Sequence, residues 1–131
     1  MYREVEHTAD YSVQLAAEDL EGLFVQSIQA VEALCGVEEE ISALEQKTIN
    51  LRAADLETLL VEWLEEYLYS LEVESQTWRS MEIRINKCEL QAFVQISALK
   101  SIQKVIKAVT FHELAVIRKG SKWEATVVFD V

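Results

Sequence analysis

From Leu56 to Leu71 the residues Leu56, Leu59, Leu60, Trp63, Leu64, Tyr67, Leu68 and Leu71 recur at steps of three and four, with Glu57, Glu62, Glu65 and Glu66 on other faces. A helix with a 3.6-residue period gathers such positions on one side. Asp55 stands where an N-cap belongs. The chain contains no proline, so nothing breaks this helix by removing a backbone donor. Its apolar stripe must be covered by whatever else the chain forms.

A second helical pattern starts after Asp19, with Leu20, Leu23, Phe24, Ile28, Val31 and Leu34 on one stripe, and Gly36 is placed to end it in a left-handed conformation. The remainder alternates with period two. Tyr2–Glu6 and Tyr11–Ala17 read as strands, Val37–Leu44 as an acidic connector, and Gln46–Arg52 as a strand. Met81, Ile83 and Ile85 alternate with Glu82 and Arg84. After a turn at Asn86-Lys87 the return carries Leu90, Ala92, Val94 and Ile96, a hairpin. Ile102–His112 is rich in β-branched residues and reads as a strand. Leu114–Arg118 and Trp123–Phe129 form a last hairpin around Lys119-Gly120-Ser121. The expected architecture is α+β, a two-layer sandwich with two helices packed on a mixed, largely antiparallel sheet. With 131 residues and no linker or repeat, residues 1–131 read as a single domain.

Twelve basic residues stand against 23 acidic ones, a net charge of −11. Up to Ser75 only Arg3, Lys47 and Arg52 are basic, and the positive residues cluster in the second half. Such a chain is repelled by phosphate backbones and anionic membranes, which argues against direct nucleic-acid or membrane binding. Its expected partners are cationic, either metal ions or basic protein faces. No apolar run follows Met1 and none is long enough to span a bilayer, so a cytoplasmic location is expected. Cys35 and Cys88 form no CxxC motif and read as buried free thiols.

Three places could carry chemistry. In the turn His7-Thr8-Ala9-Asp10 a histidine and a carboxylate can converge, although an Asx turn is the commoner use of such residues. At the other end, the apolar strand Val127-Val128-Phe129 runs straight into Asp130 and Val131. If that strand lies beside the one leading from Asp10, the two side-chain carboxylates and the carboxylate of Val131 meet. So much negative charge calls for a cation, for which oxygen-seeking Ca²⁺ is the better fit and Mg²⁺ the alternative. The third place is His112, a lone histidine on an apolar run and more often structural than catalytic. No P-loop, nucleophile elbow or HExxH motif is present, and no catalytic residue is assigned.

HTAD near the start, DLETLLVEWLEEYLY in the main helix, IKAVTFH in the third quarter and VVFDV at the end together resemble the archease family, in register from about His7 to Val131. The resemblance implies a small cytoplasmic protein that is not itself an enzyme. It would activate a GTP-dependent RNA-splicing ligase in tRNA processing by promoting guanylylation of the ligase's active-site histidine, supporting its turnover and broadening its nucleotide use. It also implies a metal site, typically calcium, made by Asp10, Asp130 and Val131, with His7 and His112 nearby or facing the partner. Two departures stand out. Ser12 occupies a position that is commonly glycine in the family, and Glu62 and Glu65 stand where Asp and Asn are usual. Two other readings stand beside it: a metal-dependent phosphohydrolase using the same carboxylates, and a chaperone-like interaction module binding through exposed apolar patches independently of metal.

Overall fold

The computed structural model describes residues 10–131, with the side chains of 41–44 left aside. The strand expected over Tyr2–Glu6, and His7, lie outside the described residues. The first element is β1, Asp10–Ala17, followed by α1, Leu20–Cys35. Asp19 caps α1 by accepting from the Gly22 N–H at 2.7 Å, and Gly36 ends it at φ 61°. Gly36 is required there twice over. Its φ lies in the left-handed region, and a Cβ would stand 2.9 Å from the Gln103 side chain. Next come β2, Glu38–Arg52, and α2, Leu56–Glu72, the latter capped by Asp55 through the Thr58 N–H at 2.7 Å. Thr58, through its backbone N–H first and then its side chain, holds the Asp55 carboxyl below its ordinary pKa.

The chain continues as β3 (Gln76–Asn86), β4 (Glu89–Ser101), β5 (Ala108–Thr110), β6 (Val116–Lys119) and β7 (Lys122–Asp130). Both expected hairpins form. The first closes through Lys87 and Cys88, with Lys87 at φ 57°, one residue later than the sequence suggested. The acidic connector expected over Val37–Leu44 is instead largely strand. Glu38, Glu39 and Glu40 pair with Ser101, Leu99 and Ala98, with register shifts on either side. Charged side chains are tolerated there because Glu38 and Glu40 are exposed, Glu38 accepts from Ser101 Oγ at 2.9 Å, and Glu39 pairs with Arg79 at 3.4 Å.

The strands divide between two sheets, where one was expected. β2, β4 and β3 make a three-stranded sheet with β4 central; β1, β7, β5 and β6 make a four-stranded one, in which β6 also pairs with β7. Every pairing among the described strands is antiparallel. The division falls in the segment expected to be one strand from Ile102 to His112, of which only Ala108–Thr110 is strand. The N–H groups of Gln103 and Lys104 both donate to the Cys35 carbonyl, at 2.8 and 3.1 Å, so this stretch caps α1 and joins no ladder.

Both helices and both sheets share one core. Trp63 and Trp78 lie with ring centroids 4.9 Å apart, and Tyr67 is 5.0 Å from Trp78. Their polar atoms are all satisfied. Trp63 donates to the Phe24 carbonyl at 3.0 Å and Trp78 to Ser70 Oγ at 3.2 Å, while the Tyr67 hydroxyl meets Thr77 Oγ1 at 2.8 Å. Burial pushes the Tyr67 phenol far above its ordinary pKa, so it stays neutral. Cys35 is buried as expected, and its thiol pKa is raised by that burial; Cys88 is half-buried at the hairpin turn, and both are free.

Side chains from the helices close off the exposed strand edges. Gln26 donates to and accepts from the Ala16 backbone, both at 2.9 Å, as a neighbouring strand would. Glu21 accepts from the Ile85 N–H at 3.1 Å on β3, and Glu57 from the Val116 N–H at 2.7 Å on β6. No helix among the described residues is long and apolar enough to cross a membrane.

Candidate metal centre at the end of the four-stranded sheet

β1 and β7 pair along their whole length, and the register sets Asp10 opposite Asp130. Directly opposed residues of an antiparallel pair point to the same face with Cβ atoms about 4.5–5.5 Å apart. Alternation explains which face this is. Val13, Leu15 and Ala17 pair with Val127, Ala125 and Trp123 and turn toward the core, as does Phe129; its partner Tyr11 is on the same face of the sheet but exposed. Asp10 and Asp130 belong to the other set, with Ser12, Gln14, Thr126 and Val128, and both are exposed. A one-residue slip would exchange these faces, so the buried row that packs the core also fixes the two carboxylates together outside it.

Several local features hold this end of the sheet. Ala108 of β5 pairs with Asp130 from the other side. The Lys107 N–H donates to the Asp130 carbonyl at 2.7 Å, leaving the side chain of Asp130 as its free donor group. The Val131 side chain packs against the core. Ser12, in the position that is commonly glycine, pairs with Val128 in the ladder and has no positive φ. The strand backbone there accommodates any residue.

Of the expected trio, the register brings Asp10 and Asp130 opposite each other, and Val131 follows Asp130 directly in the chain. Among the described residues no third His, Cys, Asp or Glu joins Asp10 and Asp130, and neither forms an ion pair. Two carboxylates, if joined by a main-chain oxygen of Val131, would offer an all-oxygen donor set. That chemistry suits Ca²⁺ or Mg²⁺ and lacks the nitrogen or sulfur that Zn²⁺ prefers. His112 is not part of this group. β5 runs from Ala108, opposite Asp130, to Thr110, opposite Val128, so the chain moves away from the carboxylates before reaching His112. His112 is exposed in the following turn, where its N–H donates to Thr110 Oγ1 at 3.3 Å.

The clefts lie elsewhere. A groove of about 470 Å³ on the outer face of the same sheet is lined by Gln14, Ala16, Glu113, Ala115, Ile117 and Glu124 among others, without Asp10 or Asp130. Sequence reading missed Tyr11, Lys104 and Lys107 as neighbours of the site. Tyr11 looked like one more apolar strand residue, and the two lysines sat in a stretch read as strand.

A two-helix, two-sheet chain with paired aspartates at the ends of its first and last described strands can be compared with known proteins. The archease protein family model matches residues 2–131. The chain belongs to the archease family. The archease of Methanosarcina barkeri is 32% identical over 139 residues, covering 99% of this chain and 95% of that protein. The archease of Methanosarcina mazei is 31% identical with the same coverage. Among solved structures, the Thermotoga maritima archease superposes with a TM-score of 0.77 at 21% identity, covering 100% of this chain and 98% of that one. Protein 1598 of Methanobacterium thermoautotrophicum gives 0.67 at 21% identity, with coverages of 97% and 96%. These two structures share the archease fold seen here.

Proposed function

We propose that the protein is an accessory activator of a GTP-dependent RNA-splicing ligase in the cytoplasm, promoting guanylylation of the ligase's active-site histidine, with a divalent cation held between Asp10 and Asp130. The observation that carries this reading is the register that sets these two exposed carboxylates opposite each other without a cationic partner among the described residues. Like charges so placed repel, and a bound hard cation relieves that repulsion. Calcium fits the all-oxygen set best, with magnesium as the alternative. Asp10, Asp130 and the main chain of Val131 would hold it.

The distribution of charge supports a protein partner. Lys122 is eight residues before Asp130 on β7, so roughly 27 Å separates the carboxylates from the basic hairpin of Arg118, Lys119 and Lys122. The acidic end therefore stands well apart from the basic hairpin, with Lys104 and Lys107 beside it, and suits a basic partner surface. The net charge of −11 disfavours direct contact with RNA phosphates. Held by Asp10 and Asp130, a divalent cation would supply charge neutralisation for attack on the α-phosphate of GTP. Asp10 and Asp130 fix where it is presented.

Calcium titration and a guanylylation assay with a cognate ligase test the reading together. Asp10→Asn should weaken calcium binding by more than the roughly 10- to 100-fold that loss of an outer-shell partner brings, and remove most of the stimulation. Its thermal midpoint without calcium should be equal or higher, because a like-charge contact is gone. Normal stimulation by the folded variant overturns the reading. Hydrolysis of GTP or RNA by the isolated protein, abolished by the same substitution, would establish a phosphohydrolase in its place.

A further inference from the structure

Tyr11 follows Asp10, and strand alternation turns its ring to the side opposite the Asp10 carboxylate. It is 40% exposed, yet it is engaged. The Lys104 ammonium donates to its hydroxyl at 2.6 Å and lies 4.3 Å from the ring centroid. Lys104 is itself anchored, since its N–H and that of Gln103 both donate to the last carbonyl of α1. Three residues on, the Lys107 N–H donates to the Asp130 carbonyl. The segment 102–107 is thus a strap with three attachments: the end of α1, the Tyr11 side chain at the start of β1, and the Asp130 backbone at the end of β7.

Ladder ends fray, because the last pair has neighbours on one side only. Among the described residues, Asp10 and Asp130 are the last pair of the β1–β7 ladder. Fraying there would part the two carboxylates while leaving the core intact. We infer that Lys104 is a positioning residue: acting through Tyr11, it keeps the end of β1 against β7 so that Asp10 stays opposite Asp130. The consequence for cation binding rests on the reading above; the clamp itself does not.

The sign of one measurement separates this role from plain electrostatics. Lys104 is a positive charge near an anionic site, so removing it should tighten a cation through charge alone. Removing a clamp should weaken it. Lys104→Met keeps the long apolar stem and deletes the charge and donor; Lys104→Arg keeps a cation able to stack on the ring and donate; Tyr11→Phe keeps the ring and deletes the hydroxyl.

Amide hydrogen exchange and calcium titration on the full chain decide the matter. In Lys104→Met, exchange over residues 10–13 and 128–131 should quicken several-fold, with exchange in α1 and α2 and the thermal midpoint unchanged. Calcium affinity should fall about three- to tenfold, the scale of one charge-assisted contact. Lys104→Arg should restore both. Tyr11→Phe combined with Lys104→Met should be no worse than Lys104→Met alone. Unchanged local exchange overturns the clamp, whereas a fall in local protection with calcium binding equal or tighter overturns its consequence for the cation site. If the wild-type chain binds no calcium, the metal reading fails, and the exchange data alone still decide whether Lys104 holds the strands together.

Discussion

Glu32 shows how a single residue can work against the fold that contains it. It lies on α1, partly buried, and its carboxyl is pushed above the ordinary value of 4.5, first by that burial and then by the nearby charge of Glu39. A carboxylate with a raised folded pKa binds its proton more tightly in the native state, so stability falls as pH climbs through the range between its unfolded and folded values. At neutral pH the full penalty is present. Glu32→Gln should therefore raise the thermal midpoint at pH 7. The gain should shrink as pH is lowered and vanish below about 4, where both states are protonated. Melting curves of the two proteins across pH 4–8 check the sign. The paired aspartates belong to the same scale: their proximity is tolerable on an exposed face, where water shares the cost, and becomes useful once a cation is present.

At the scale of elements, the protection of strand edges stands out. α1 closes two of them, β1 through Gln26 and β3 through Glu21, and α2 closes β6 through Glu57. Each acceptor or amide satisfies a main-chain group that would otherwise invite another chain. Gln26→Leu removes two hydrogen bonds to Ala16 while keeping side-chain bulk. It should cost about 1–3 kcal/mol in urea unfolding. It should also raise the concentration-dependent association of the native protein, seen by light scattering. Loss of stability without any association would assign Gln26 to packing alone. The sequence contained these residues without showing their task, because a glutamine or glutamate on a helix has no local signature for a strand many residues away.

At the scale of the whole molecule, the net charge of −11 is unevenly placed. Helix faces and the Glu38–Glu40 stretch of β2 carry most of it, while Arg118, Lys119 and Lys122 sit at one end of β7 and Asp130 at the other. Excess charge of one sign opposes a compact state, and salt relieves it. Raising NaCl from about 0.01 M to about 0.15 M shortens the Debye length from roughly 30 to roughly 8 Å. The thermal midpoint should rise over that range. CaCl₂ at matched ionic strength should raise it further in the wild type but not in Asp10→Asn, since binding to the native state adds stability that screening does not. Equal midpoints in the two salts would count against a calcium site.

The sequence by itself determined both helices, their caps at Asp19, Gly36 and Asp55, the two hairpins, and which face of each strand is apolar. Those features follow from periods and caps that act over a few residues, where neighbours in the chain are neighbours in space. It also contained, in two distant tetrapeptide-scale motifs, both aspartates of the candidate site. Tertiary structure alone decided that the strands split into two sheets, that residues 102–107 leave the ladder to cap α1 and grip Tyr11, and that β2 extends through Glu38–Glu40. It alone placed Asp10 across from Asp130 and left His112 apart. These outcomes depend on which strand lies beside which and in what register. That choice is made by the fit of Trp63, Tyr67 and Trp78 in the shared core and by backbone groups finding partners far along the chain, and no local pattern of residues encodes it.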